Sequence, residues 1–160
     1  MIVLAIDSGL EKTGYSVFHN KGIDSYLRTS GLLKTDKTIA IEKRLLQIYQ
    51  KLNKVINEFR PQVIVIEQLF FFKNKKTAIA VSQTQGVIML LAAQHKIALK
   101  LLTPLQIKKT VTGYGQADKL SIRKMVNITL HISKKIKEDD EIDAIACGLA
   151  YCYLNKSILY

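Results

Sequence analysis

The sequence predicts a mixed α/β fold, with a five-stranded sheet carrying helices on both faces. Two runs, Ile2–Ile6 and Val63–Ile66, are continuously apolar, as strands covered on both sides must be. Between them Leu45, Ile48, Leu52, Val55, Ile56 and Phe59 repeat at three- and four-residue spacing, which describes one apolar helix face. The segment order is three strands, a helix, a strand, a helix, a strand and then helices, which suits a mixed sheet. A chain of 160 residues can bury a core of its own, so residues 1–160 are expected to form one domain.

The first strand ends at Asp7-Ser8-Gly9, a turn sequence. Gly14 opens a second strand through Phe18, His19-Asn20-Lys21-Gly22 is expected to be the hairpin turn, and a third strand covers Tyr26–Lys34. Pro61 stops the first helix, and the fourth strand ends at Glu67. Residues 76–95 form a helix whose second half, Val87-Ile88-Met89-Leu90-Leu91-Ala92-Ala93, is apolar almost all round. Such a helix needs cover on more than one face, which predicts a homodimer contact there. A short strand, Ala98–Leu102, precedes Thr103-Pro104-Leu105-Gln106, which has Thr, Pro and Gln where a helix start favours them. Gly113-Tyr114-Gly115 breaks that helix and Asp118 caps the next. Lys134–Lys137 read as a basic loop, and a final helix spans about Asp140 to Leu154.

Lys and Arg number 24 against 13 acidic residues, a net charge of +11. That excess favours a polyanionic partner, although a lysine-rich solvated surface would give the same number. No secretory or membrane-spanning segment stands out, and Cys147 and Cys152 lack any metal-binding or paired spacing. Both read as core thiols of a cytoplasmic protein.

With acids so scarce, their positions are informative. Asp7 and Glu67 end the first and fourth strands, and Asp140 and Asp143 lie in the first turn of the last helix, three residues apart. If the two strands are parallel neighbours, both acids project into the crevice beyond their carboxyl ends. Four carboxylates cannot stay ionised together without cations. Two Mg²⁺ ions would neutralise them and clamp the attacking and leaving oxygens of a phosphodiester hydrolysis. Singly, each acid has a plainer role: a turn former, a polar strand end, a helix cap or a first-turn charge. Glu138, Asp139 and Glu141 crowd the same turn, and spacing alone leaves Asp139 and Asp140 open as the partner of Asp143.

At these residues the chain resembles the RuvC family of Holliday-junction resolvases. The resemblance is carried in order by Ile6-Asp7-Ser8-Gly9 with Thr13-Gly14-Tyr15, Ile66-Glu67-Gln68-Leu69-Phe70 with Lys73-Asn74, and Gln83-Gly86-Val87. Lys108-Thr110-Val111-Gly113, Gly115, Ala117, Lys119 and Asp140-Asp143-Ala144 continue it over nearly the whole chain. It implies an RNase H-like fold and metal ligands Asp7, Glu67, Asp140 and Asp143, with Mg²⁺ or Mn²⁺ as cofactor. It also implies a homodimer that nicks two strands of a four-way DNA junction symmetrically, and a branch-migration helicase as partner. The family usually has Pro after the first Asp, where this chain has Ser8, which fixes the backbone less firmly.

Leu69-Phe70-Phe71-Phe72 follows Glu67 directly and leads into Lys73, Lys75 and Lys76, a pattern suited to stacking on a distorted base beside phosphates. By resemblance Phe70 is the junction-wedging aromatic, and Lys108 and Lys119 stand near the scissile phosphate, where either could stabilise transition-state charge. Lys109, Arg123 and Lys124 extend the expected groove. Rival readings are a related nuclease acting on RNA or other branched DNA, an actin-like ATP-binding domain, and a junction binder that does not cut. The second domain that ATP clamping requires does not fit within this length, and a pure binder has no use for acids beneath phosphates.

Overall fold

The structure, a computed structural model, describes residues 1–22, 24–69, 75–132 and 136–156, without the side chains of residues 75–77 and 156. Strands β1 (Ile2–Asp7), β2 (Lys12–Lys21) and β3 (Asp24–Lys34) precede helix α1 (Ile41–Phe59) and strand β4 (Val63–Glu67). Helix α2 (Lys75–Gln94) and strand β5 (Ala98–Leu102) lead to α3 (Pro104–Thr112), α4 (Lys119–Leu130) and α5 (Asp139–Lys156). The sheet runs β3-β2-β1-β4-β5. β2 and β3 are antiparallel to their neighbours, whereas β1, β4 and β5 are parallel.

Strand alternation explains the two-sided core. Leu4, Ile6, Ile64 and Ile66 face α1 and α2, meeting Ile48, Leu52, Ile88 and Leu91. Val3, Ala5, Val63 and Val65 face α3, α4 and α5, meeting Ile107, Ile122, Ile145 and Leu149. A β-carbon at Gly148 would come within 2.6 Å of the Phe18 ring, so α5 lies close upon β1 and β2.

The helix starts follow their local chemistry. Thr103 and Gln106 form a reciprocal capping box, Pro104 sits in the first turn, and Gly113 closes α3 in the left-handed region. Asp118 accepts from the Ser121 N–H and caps α4. One expectation differs from the structure. His19 and Asn20 are not turn residues but lie in β2, paired with Tyr26 and Ser25, and the turn falls after Lys21 at Gly22. The reason is the neighbouring strand: the Asn20 N–H donates to the Met1 carbonyl and the Asn20 carbonyl accepts from the amino terminus, extending the ladder. Helix α2 buries only one face, through Ile88, Leu91 and Ala92, and leaves Ile79, Met89 and Leu90 41–61% exposed. Among the described residues, no helix is long and apolar enough to cross a membrane.

Candidate active site

The parallel register that pairs Ile6 with Ile66 puts Asp7 and Glu67 side by side where β1 and β4 end. By alternation both follow Ala5 and Val65 onto the α5 side of the sheet. The start of α5 is held against that edge. Its carbonyl at Ala144 accepts from the buried Ser16 hydroxyl, Glu141 accepts from Ser30 at 2.6 Å, and Glu138 takes Lys12 at 2.8 Å and Lys34 at 2.7 Å. Those two lysines hold the Glu138 carboxyl far below its usual range, at about 2.

These contacts separate the five acids of residues 138–143 by job. Glu138 and Glu141 pin the helix to β2 and β3. Asp139 is engaged by the Arg123 guanidinium at 2.7 Å, which keeps it ionised. Asp140 and Asp143 are the members whose charges bear on Asp7. Burial, then repulsion from Asp143, Glu67 and Asp140, pushes the Asp7 carboxyl up to about 8. Burial and Asp143 likewise raise Glu67, against the opposing pull of Lys108 and Lys119. Asp143 is raised chiefly by burial, although the Lys119 ammonium lies 3.4 Å from it.

Among the described residues, no three acidic, histidine or cysteine side chains stand ready to chelate one ion. Lys119 supplies positive charge beside Asp143. The donor set still fits a hard divalent cation. It offers only carboxylate oxygens, and partial burial leaves them electrically unsatisfied. Beside Glu67 and Asp143 lies a cleft of ≈ 300 Å³ whose other lining includes Lys108, Lys119, Ile107 and Ala146. The cleft therefore brings two lysines and two carboxylates to one opening.

The remaining sequence candidates divide. Lys109 is exposed on the outer side of α3. The Arg123 guanidinium donates to the Ile136 carbonyl at 2.5 Å and to Asp139, so it braces the approach to α5. Phe70, Phe71, Phe72 and Lys73 lie outside the described residues, as do Lys134 and Lys135 of the expected basic loop, and of Lys76 only the backbone is described. Cys147 is fully buried one turn beyond Asp143, and its thiol is held protonated by burial, consistent with a core role.

Two contributors were not singled out for the site from sequence. Gln85, buried on α2, donates from Nε2 to the Ser8 hydroxyl at 3.0 Å and to the Glu67 carbonyl at 2.8 Å. It stitches the ends of β1 and β4 together, so Ser8 is held by a hydrogen bond. In the sequence it stands among other polar residues of α2, Ser82, Gln83 and Thr84, and nothing there singles it out. Glu138 looked like surplus charge, because its lysine partners are remote in sequence.

A family model described as "Crossover junction endodeoxyribonuclease RuvC" matches residues 3–152. A protein so named from Caldicellulosiruptor saccharolyticus is 40% identical over 161 residues, covering 100% of this chain and 97% of the relative. One from Natranaerobius thermophilus is 41% identical, covering 94% of both. Among solved structures, Thermus thermophilus RuvC in complex with Holliday junction substrate superimposes with a TM-score of 0.91 at 25% identity, over 98% of this chain and 96% of that one. The yeast mitochondrial Holliday junction resolvase shares the fold at 14% identity, with a TM-score of 0.67 over 98% of this chain and 80% of that one.

Proposed function

The chain belongs to the RuvC family of crossover junction endodeoxyribonucleases, and from that premise we propose that it resolves four-way (Holliday) DNA junctions in recombination and repair. It hydrolyses one phosphodiester in each of two opposed strands with divalent metal, Mg²⁺ by preference and Mn²⁺ in its place. The observation that carries this reading is the single edge at which β1, β4 and α5 gather Asp7, Glu67, Asp140 and Asp143, with the Asp7 carboxyl raised to about 8.

Those four carboxylates would hold two ions. Bound there, the ions supply an activated water and neutralise charge on the departing 3′ oxygen. Lys119, already beside Asp143, holds the scissile phosphate and offsets charge developing on it. Lys108 lines the same cleft and Lys109 continues the positive surface outward along α3. Phe70 stacks at the junction, flanked by Lys73 and Lys76. The net charge of +11 supports a nucleic-acid partner.

Two symmetric nicks need two sites, and the uncovered face of α2 supplies the contact for a homodimer. Ile79, Gln83, Gly86, Leu90 and Ala93 recur at four and three residues along it. A branch-migration helicase is the further partner that family membership suggests.

The test is a labelled four-way junction incubated with purified protein, with Mg²⁺ or with EDTA. Metal-dependent paired nicks are expected, and Asp7→Asn is expected to bind the junction in Ca²⁺ yet leave it uncut. Full cleavage by that variant, or cleavage in EDTA, refutes the metal-ligand assignment.

A further inference from the structure

A second cleft, of ≈ 670 Å³, opens on the other side of the acids. It lies between the β1–β2 turn, the β3–α1 connection and the start of α2, and Asp140 forms one end of it. Glu67 and Asp143 line the smaller cleft already described, so the carboxylate cluster is a saddle between two openings. A phosphodiester seated on that saddle belongs to a strand with a further phosphate on each side. Lys108 and Lys119 serve one side. The other side has its own cations: Lys12 from β2, Lys37 from the loop and Arg44 from α1.

We propose that this second cleft is a phosphate-binding subsite, which takes the DNA backbone of the cleaved strand after it has crossed the acids. The inference rests on the junction-cutting reading above and extends it to Lys37 and Arg44. Arg44 is prepared for the task. Its Nε donates to the Thr35 hydroxyl at 2.9 Å, and that hydroxyl donates to the Leu10 carbonyl at 2.6 Å. The guanidinium is thus anchored at one nitrogen, while its two terminal amino groups bond to no other described residue. A guanidinium so held presents the fork that matches a phosphate.

Lys37 pairs with Glu11 at 2.9 Å, but both side chains are largely exposed, 69% and 49%. An exposed pair of this kind holds its lysine weakly, and a phosphate can take the ammonium from it. Lys12 is committed to Glu138, and its charge contributes at longer range. Leu10, Ala80 and Val81 supply an apolar wall for deoxyribose. Glu11 and Asp140 are the opposing charges, so the subsite suits a strand delivered by the rest of the DNA and is too mixed in sign to hold a free anion.

The test measures junction affinity in Ca²⁺ across a series of KCl concentrations for Lys37→Ala/Arg44→Ala, with Lys21→Ala as control. Lys21 sits at the far end of β2, beside Tyr26 and away from both clefts. Two lost phosphate contacts flatten the slope of log affinity on log salt by about 1.8. Lys21→Ala keeps the wild-type slope, and Arg44→Lys recovers part of the loss. An unchanged slope in the double variant overturns the subsite, as does an equal change in Lys21→Ala, which would mean general charge alone. Should the double variant fail to fold, Lys37→Ala alone, on an exposed loop, is expected to flatten the slope by about 0.9, and an unchanged slope overturns the subsite. The same proteins are assayed for nicking in Mg²⁺. Wild-type protein that never nicks a junction defeats the functional reading itself, whereas normal nicking with an unaltered slope defeats the subsite alone.

Discussion

Gly14 and the backbone of Asp140 are in direct contact: a β-carbon at Gly14 would stand 1.9 Å from the Asp140 carbonyl oxygen. Gly14 is also the cross-strand partner of Asp7. The absent side chain therefore lets the start of α5 close upon β1, and the distance between Asp7 and Asp140 depends on it. Gly14→Ala is expected to fold, because the strand tolerates alanine, but with α5 displaced. A displacement near 1 Å predicts a loss of about 100-fold in the cleavage rate in Mg²⁺ with junction binding in Ca²⁺ retained. Parallel loss of binding and cleavage would show a global defect instead.

The raised Asp7 carboxyl has a signed consequence for stability without metal. In the unfolded chain it titrates near 3.8, and in the folded protein at about 8. Between those values the folded state binds a proton that the unfolded state has lost. Asp7 therefore favours folding fully below pH 3.8, and this contribution is lost as pH rises through 8. In EDTA the melting temperature is expected to fall from pH 6 to pH 9 by several degrees more in wild type than in Asp7→Asn. Mg²⁺ should remove most of that difference. Identical pH profiles for the two proteins would place Asp7 in ordinary solvent.

Lys119 offsets the carboxylates and stands where developing phosphate charge is expected. Lys119→Ala is predicted to slow cleavage in saturating Mg²⁺ by about 100-fold, with partial recovery in Lys119→Arg. Single-turnover rates decide it, and an unchanged rate assigns the lysine to the solvated surface.

Gln85 reaches both Ser8 and the Glu67 carbonyl from within α2. Gln85→Leu removes both bonds and leaves buried polar groups unpaired, at a cost of about 1–3 kcal/mol in urea unfolding. Ser8→Pro in that background should recover rigidity at the end of β1, because the ring fixes φ. No loss of stability on Gln85→Leu would mean that water replaces the amide.

Leu90 is 53% exposed in the uncovered apolar face of α2. Leu90→Asp is expected to shift the sedimenting species from dimer to monomer with the melting curve little changed. A wild-type chain that sediments as a monomer at micromolar concentration overturns the homodimer, and a Leu90→Asp variant that stays dimeric puts the contact elsewhere.

The strands, the helix caps and the places where acids interrupt apolar runs were legible in the sequence, because each rests on spacing of a few residues. The box at Thr103 and Gln106 and the cap at Asp118 are of this kind. Which acids near the start of α5 serve the site was not legible from spacing. That choice is made by partners far along the chain: Lys12 is 126 residues from Glu138, and Ser30 is 111 from Glu141. The extra length of β2 was equally out of reach, since pairing belongs to neighbouring elements. Local periodicity determined what this chain builds. Only tertiary contact decided which charges stand together, because the field between carboxylates depends on distance through space and on burial, and neither is a property of sequence separation.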